Sequence, residues 1–148
     1  MQDLSLPYSL SQHSRMVLNK RISESKSDVC GVEEHLLLAY EGFVRSRFKM
    51  LPSQSDDMLH AALGIAGEAG EIIDAIKKPF AYNQLPNQIN IIEELGDLLF
   101  YIQAMANTMD IKLSEIMMAN AAKLTLRYPQ GYDDAAAIAR ADKTEGEI

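Results

Sequence analysis

The stretch DMLHAALGIAGEAGEIIDAIKKP (residues 57–79), with NIIEELGDLLFYIQAMANTM (residues 90–109) beyond a short break, decides how this chain is read. Both segments carry apolar residues at helical spacing: Leu59, Ala62, Leu63, Ala66, Ile72, Ile73 and Ile76 in the first, Ile91, Leu95, Leu98, Leu99, Ile102 and Met105 in the second. Each also carries two acids three residues apart, Glu68-x-x-Glu71 and Glu94-x-x-Asp97. Residues three apart share a helix face, so two such helices packed face to face would bring four carboxylates together. A cluster of that kind repels itself unless protons or cations neutralise it, and hard divalent cations with oxygen ligands are the usual solution. The second segment is apolar on nearly every side, which predicts a buried helix. Buried Glu94 and Asp97 would then be costly without cations or hydrogen bonds. A magnesium-type site between two core helices is the expectation.

Working outward, Ser55, Asp56 and Asp57 are N-cap candidates for the first helix, and Pro79 is expected to stop it. Gly64, Gly67 and Gly70 cost about 1 kcal/mol each relative to alanine inside a helix. They read equally as close helix packing or as room for a ligand to reach the backbone. Residues 80–88 form a connecting loop. Further on, Ser114 is the expected cap of a third long helix on which Ile116, Asn120, Lys123 and Arg127 form one stripe. An amide, an ammonium and a guanidinium on one stripe suit phosphate oxygens, although a solvated surface stripe is the plainer reading. Tyr128-Pro129-Gln130-Gly131-Tyr132 ends this helix, and residues 135–139 offer a short final one.

Upstream, Leu36, Leu37, Tyr40, Phe43, Val44 and Phe48 predict a helix from residue 32 to near Leu51-Pro52. Residues 1–31 read as a weakly structured extension with a short helix near 14–22, and residues 143–148 as a mobile tail. The expected fold is all-α, a bundle of four to five helices in one domain over residues 32–142.

Composition narrows the function classes. With 14 Lys+Arg against 21 Asp+Glu, the net charge of -7 argues against a broad nucleic-acid surface. A small anionic substrate remains compatible, because it meets local cations and metal rather than the global field. The single Cys30 forms no internal disulfide and reads as a small packed residue. No apolar run reaches membrane-span length, so the expectation is a soluble, cytoplasmic protein without a membrane partner. A di-iron carboxylate bundle would want Glu-x-x-His motifs, which His13, His35 and His60 do not supply.

Taken together, His60-Ala-Ala-Leu-Gly-Ile-Ala-Gly-Glu-Ala-Gly-Glu71, Asp74 with Lys77-Lys78, Glu93-Glu-Leu-Gly-Asp-Leu-Leu-Phe-Tyr101 and Asn120-Ala-Ala-Lys-Leu-Thr-Leu-Arg-Tyr-Pro129 resemble the all-α nucleoside triphosphate pyrophosphohydrolases, the MazG-like family. The resemblance covers roughly residues 36–142. It implies metal-dependent hydrolysis of a (deoxy)nucleoside triphosphate to the monophosphate and pyrophosphate. It further implies that Glu68, Glu71, Glu94 and Asp97 are the catalytic acids and ligands of Mg2+ or Mn2+. Asn120, Lys123, Arg127, Tyr128 and Lys77 would serve the substrate, with Lys78 as an alternative to Lys77. Many members carry a further acid where this chain has Gly67, leaving either Glu68 or a metal-activated water for the base role. His60, Phe100 and Tyr101 are candidate walls for the nucleobase, and a homo-oligomer, dimer or tetramer, is expected. The rival from another class is a non-enzymatic helical oligomer in which the acids hold a structural ion or face lysines across an interface.

Overall fold

The computed structural model describes residues 11–24 and 36–143. Among the described residues there are six helices and no strand: α1 (Gln12–Glu24), α2 (Leu36–Arg47), α3 (Gln54–Ala81), α4 (Gln88–Thr108), α5 (Leu113–Arg127) and α6 (Asp134–Ala139). The all-α expectation holds. The expected residues 32–35 of the α2 helix, Cys30, His35 and the tail 144–148 lie outside the described residues. Packing divides the chain into two compact units, Met1–Met109 and Asp110–Ile148.

In the first unit the α3–α4 pair dominates, and two contacts and a shared cleft along it establish an antiparallel register. The side-chain Nε2 of Gln54 at the start of α3 donates to the carbonyl of Thr108 at the end of α4, at 2.8 Å. Midway, Gly64 lies directly under the ring of Tyr101. At the far end Asp74 and Asn90 line one cleft. The core is small, built on Val44, Phe48, Ala61 and Ala104, with Tyr40, Phe43, Phe100, Tyr101 and Met105 packed against it. Alanines at the α3–α4 contact let the helix axes approach, and the aromatics fill the space where α2 crosses. His60 belongs to this aromatic cluster, its ring stacked on Phe48 at 4.6 Å between centroids and Tyr101 at 6.1 Å edge-on.

Several helix ends differ from the sequence expectation. The cap of α3 is Ser53, whose hydroxyl accepts the Asp56 amide at 3.2 Å. Asp57 is buried and instead accepts the Leu51 amide at 2.7 Å, tying the incoming chain to the helix. Pro79 does not stop α3, which continues to Ala81. It sits in the last turn, where its missing N–H forfeits one bond, and its own carbonyl accepts the Gln84 amide at 2.8 Å. Asn87 caps α4, accepting the amides of Ile89 and Asn90 at 3.0 and 3.4 Å. Helix α2 ends at Arg47, before the Leu51-Pro52 boundary.

Helix α4 is not buried all round. Its fully buried residues are Gln103, Ala104 and Ala106, while Leu95 and Leu99 are 50% and 41% exposed. Its other neighbours, α1 and α2, cover only part of the surface that α3 leaves. Helix α1 is held to the start of α4 through Gln88, whose Oε1 accepts the Ser14 hydroxyl at 2.8 Å and the Ser11 amide at 3.0 Å.

In the second unit, α5 begins at Leu113 after Lys112 rather than after a Ser114 cap. The Glu115 carboxylate accepts the Lys112 amide at 2.8 Å, which satisfies an end of the helix without a capping hydroxyl. The helix ends at Arg127, with the Tyr128 backbone N–H donating to the Leu124 carbonyl at 2.8 Å, and Gly131, at φ 97°, takes the left-handed conformation three residues further on.

Candidate metal and nucleotide site

The antiparallel register sets Glu68 across from Asp97 and Glu71 across from Glu94. One oxygen each from Glu68, Glu94 and Asp97 lies within 4.8 Å of the others. Oxygens on opposite sides of one hard cation stand about 4–5 Å apart, so these three suit a shared ion. The Glu68 carboxyl is raised from its ordinary value, first by partial removal from water and then by the charges of Asp97, Glu94 and Glu71. Glu71 thus contributes to the cluster's field although it stands outside the tightest group. The donor set is entirely carboxylate oxygen, which fits Mg2+ or Mn2+ and not a soft metal.

Burial is less than the sequence suggested. Asp97 is exposed and Glu94 half-buried, because the α4 face that carries them is open in the single chain. The case for a cation therefore rests on convergence of like charges, not on a dry interior.

Neighbouring groups steady the acids. The side-chain Nδ2 of Asn90, one turn before Glu94, donates to the Glu94 carboxylate at 3.3 Å. Tyr40 on α2 has its phenol raised, first by burial and then by Asp97, which places it within the electrostatic reach of the cluster. The three glycines divide between the two readings. A Cβ at Gly64 would collide with the Tyr101 ring, so this position serves packing, whereas Gly67 and Gly70 have nothing within 4 Å of where a Cβ would stand. One turn separates Gly64 from Glu68 and Tyr101 from Asp97, so this contact sets the helix separation at the carboxylates.

A cleft of about 330 Å³ adjoins the acids, lined by Glu71 and Glu94 together with Asp74, Lys78, Tyr82, Gln84, Asn87 and Asn90. Lys78 pairs with Asp74 at 2.9 Å, one turn apart. The Asp74 carboxyl is lowered by that hydrogen bond and charge. Lys77 is exposed and does not line the cleft. Sequence reasoning missed Tyr40, Asn90, Tyr82 and Gln84; only Asn90, four residues before Glu94, carried a readable signal.

In the second unit, Asn120, Lys123 and Arg127 do share one stripe of α5, with the first two exposed. Arg127 is engaged by Asp142, whose carboxylate takes Nε at 2.5 Å and a terminal nitrogen at 2.6 Å. The pair pulls Asp142 down to about 2. Tyr128 packs against Tyr132 at 5.3 Å between centroids and stands 5.9 Å from the Arg127 guanidinium. Nothing in the sequence pointed to Asp142.

Among the described residues, helices alone are present and two facing ones gather carboxylates at one place, which sets the protein among helical bundles that carry acidic side chains between their helices. Comparison with known proteins places this chain more closely. The family model of the MazG nucleotide pyrophosphohydrolase domain matches residues 57–132, from the first turn of α3 to just past α5, and the chain belongs to that family. The Gene 37 protein of Mycobacterium phage L5 is 31% identical over 80 residues, 51% of this chain and 70% of that protein. No solved structure matches the chain. Among the described residues no helix is long and apolar enough to cross a membrane.

Proposed function

We propose that this protein is a metal-dependent hydrolase that cleaves a (deoxy)nucleoside triphosphate between its α and β phosphates, releasing the monophosphate and pyrophosphate. The observation that carries the reading is the approach of the Glu68, Glu94 and Asp97 oxygens to within 4.8 Å, with Glu71 adding its charge. Membership of the MazG family supports the nucleotide substrate. Glu68, Glu71, Glu94 and Asp97 would hold Mg2+, with Mn2+ as the alternative. A cation bound there would neutralise charge on the phosphates and make water more acidic.

The chain's own groups do the rest. Glu68 is the carboxylate proposed as proton acceptor, because it belongs to the tight group of oxygens and Gly67 stands where many relatives carry a further acid. Asn90 holds Glu94 in register through its amide. Asn120, Lys123 and Arg127 contact the phosphate chain with Tyr128 beside them, and Lys77 adds a further positive charge. The exposed apolar residues of α3 and α4, Leu59, Leu63, Leu95 and Leu99 among them, support assembly into a homo-oligomer. Light scattering at micromolar concentration should give a dimer or tetramer mass, and a monomer would remove that element.

The decisive experiment compares release of pyrophosphate and orthophosphate from a panel of ribo- and deoxyribonucleoside triphosphates with Mg2+ or Mn2+. Wild-type protein should release pyrophosphate, and Glu71→Gln combined with Asp97→Asn should lower the rate by roughly a thousandfold. No hydrolysis with either metal would leave the cluster as a structural or regulatory ion site.

A further inference from the structure

The cleft beside the carboxylates contains residues to which no motif assigns a role. We propose that it receives the uncharged nucleoside end of the triphosphate, with Tyr82 and Gln84 of the α3–α4 connection and the amides at the start of α4 selecting the base. The proposal rests on the function given above and names the part of the substrate that this cleft reads.

Position is the first argument. Glu71 and Glu94 line the cleft as well as the acid cluster, so a ligand held over the carboxylates has this volume of about 330 Å³ as its neighbour. That lies at the lower end of small-ligand pockets, roughly 300–1,000 Å³. Charge is the second. Glu71, Asp74 and Glu94 face a single cation, Lys78, whose ammonium is already 2.9 Å from Asp74. With Glu71 and Glu94 turned to the ion, the charges left on the wall are the paired Asp74 and Lys78, so the cleft offers phosphate no free cation and suits a neutral group that can form hydrogen bonds.

Chemistry is the third. Asn87 uses its oxygen to cap α4, while its amino group has no partner among the described residues. The Gln84 side-chain amide likewise has none there, and only its backbone N–H is bonded. Tyr82 presents a ring that is 74% exposed. Paired donors and acceptors beside an exposed aromatic face are what a planar heterocycle requires: stacking provides affinity, and the amides reject bases whose edge leaves them unpaired.

The test uses the full chain with Mg2+ and calorimetric titration of α,β-imido analogues of the four common deoxynucleoside triphosphates, with inorganic tripolyphosphate as the phosphate-only probe. Tyr82→Ala and Gln84→Ala should each weaken the preferred analogue about tenfold and flatten the ranking of bases, with tripolyphosphate affinity unchanged. Tyr82→Phe should retain wild-type affinity, since stacking needs the ring and not the hydroxyl. Melting curves like the wild type's are expected, because neither side chain supports the fold. Unchanged affinity and ranking in the alanine variants would overturn the proposal, as would an equal loss for tripolyphosphate, which would make the cleft a phosphate subsite. Base-selective binding without pyrophosphate release would keep the cleft and remove the reaction. Failure of the wild type to bind any analogue overturns the proposal.

Discussion

The α3–α4 pair and the α5–α6 unit build their polar groups by opposite means. On α3 and α4 the acids are set by packing: the Ala61–Ala104 core and the seat of Tyr101 on Gly64 bring like charges together that would otherwise separate. In the second unit the most strongly paired group, Arg127, is held by an opposite charge, the carboxylate of Asp142. A cluster held against its own repulsion is poised for a cation. A paired guanidinium must instead exchange one anion for another to meet phosphate. The first arrangement stores its binding capacity in the backbone, the second in a replaceable contact.

The comparison can be broken first with metal. Glu68 is raised first by partial removal from water and then by its neighbours' charges, so the folded chain without metal loses stability as pH rises from the ordinary carboxylate value through that elevated one, because the folded state must then ionise a group it prefers protonated. Mg2+ at about a hundredfold excess over its dissociation constant should restore roughly 2.7 kcal/mol near neutral pH, read as a higher Tm, and much less near pH 4. A melting profile indifferent to Mg2+ at every pH would mean that the acids are not a cation site.

Gly64→Ala sharpens the packing half. The new methyl meets the Tyr101 ring, so overpacking of about 1–3 kcal/mol should outweigh the roughly 1 kcal/mol gained in helix propensity. Pyrophosphate release should fall with the Tm, because the displaced contact lies one turn from Glu68 and Asp97. An unchanged Tm with full activity would show that the helix separation is not set there.

The smallest effect is expected at the ion pair. Asp142 is lowered by Arg127, so the pair's stabilisation is complete above the ordinary carboxylate value near 4 and is lost as pH falls toward about 2. Asp142→Asn should therefore leave the global Tm nearly unchanged at neutral pH while increasing amide exchange after α6. Because it frees the guanidinium, it should also tighten binding of tripolyphosphate a few fold if Arg127 meets phosphate; weaker binding would mean that Asp142 positions the arginine instead.

Much of the site was legible because spacing is geometry on a helix. Glu68 and Glu71, Glu94 and Asp97, and the Asn120, Lys123 and Arg127 stripe all follow from three- and four-residue periods. The helix ends were read less well. Pro79 was expected to break α3, yet a proline in the last turn forfeits little, and Ser53 caps where Ser55 to Asp57 had the same composition. The expected burial of α4 failed for a different reason. Apolar composition states what a helix can bury, while neighbours decide what it does bury, and here they leave Leu95 and Leu99 open.

The sequence by itself determined the helical class, the two acidic pairs and the family, because each depends on residues near one another along the chain. Only the tertiary structure decided that Glu68, Glu94 and Asp97 form the tight group with Glu71 at its side, that Gly64 packs while Gly67 and Gly70 stay open, and that Arg127 is engaged by Asp142. Those outcomes depend on the register between separate elements, which side-chain volume and close approach select and which no local spacing encodes.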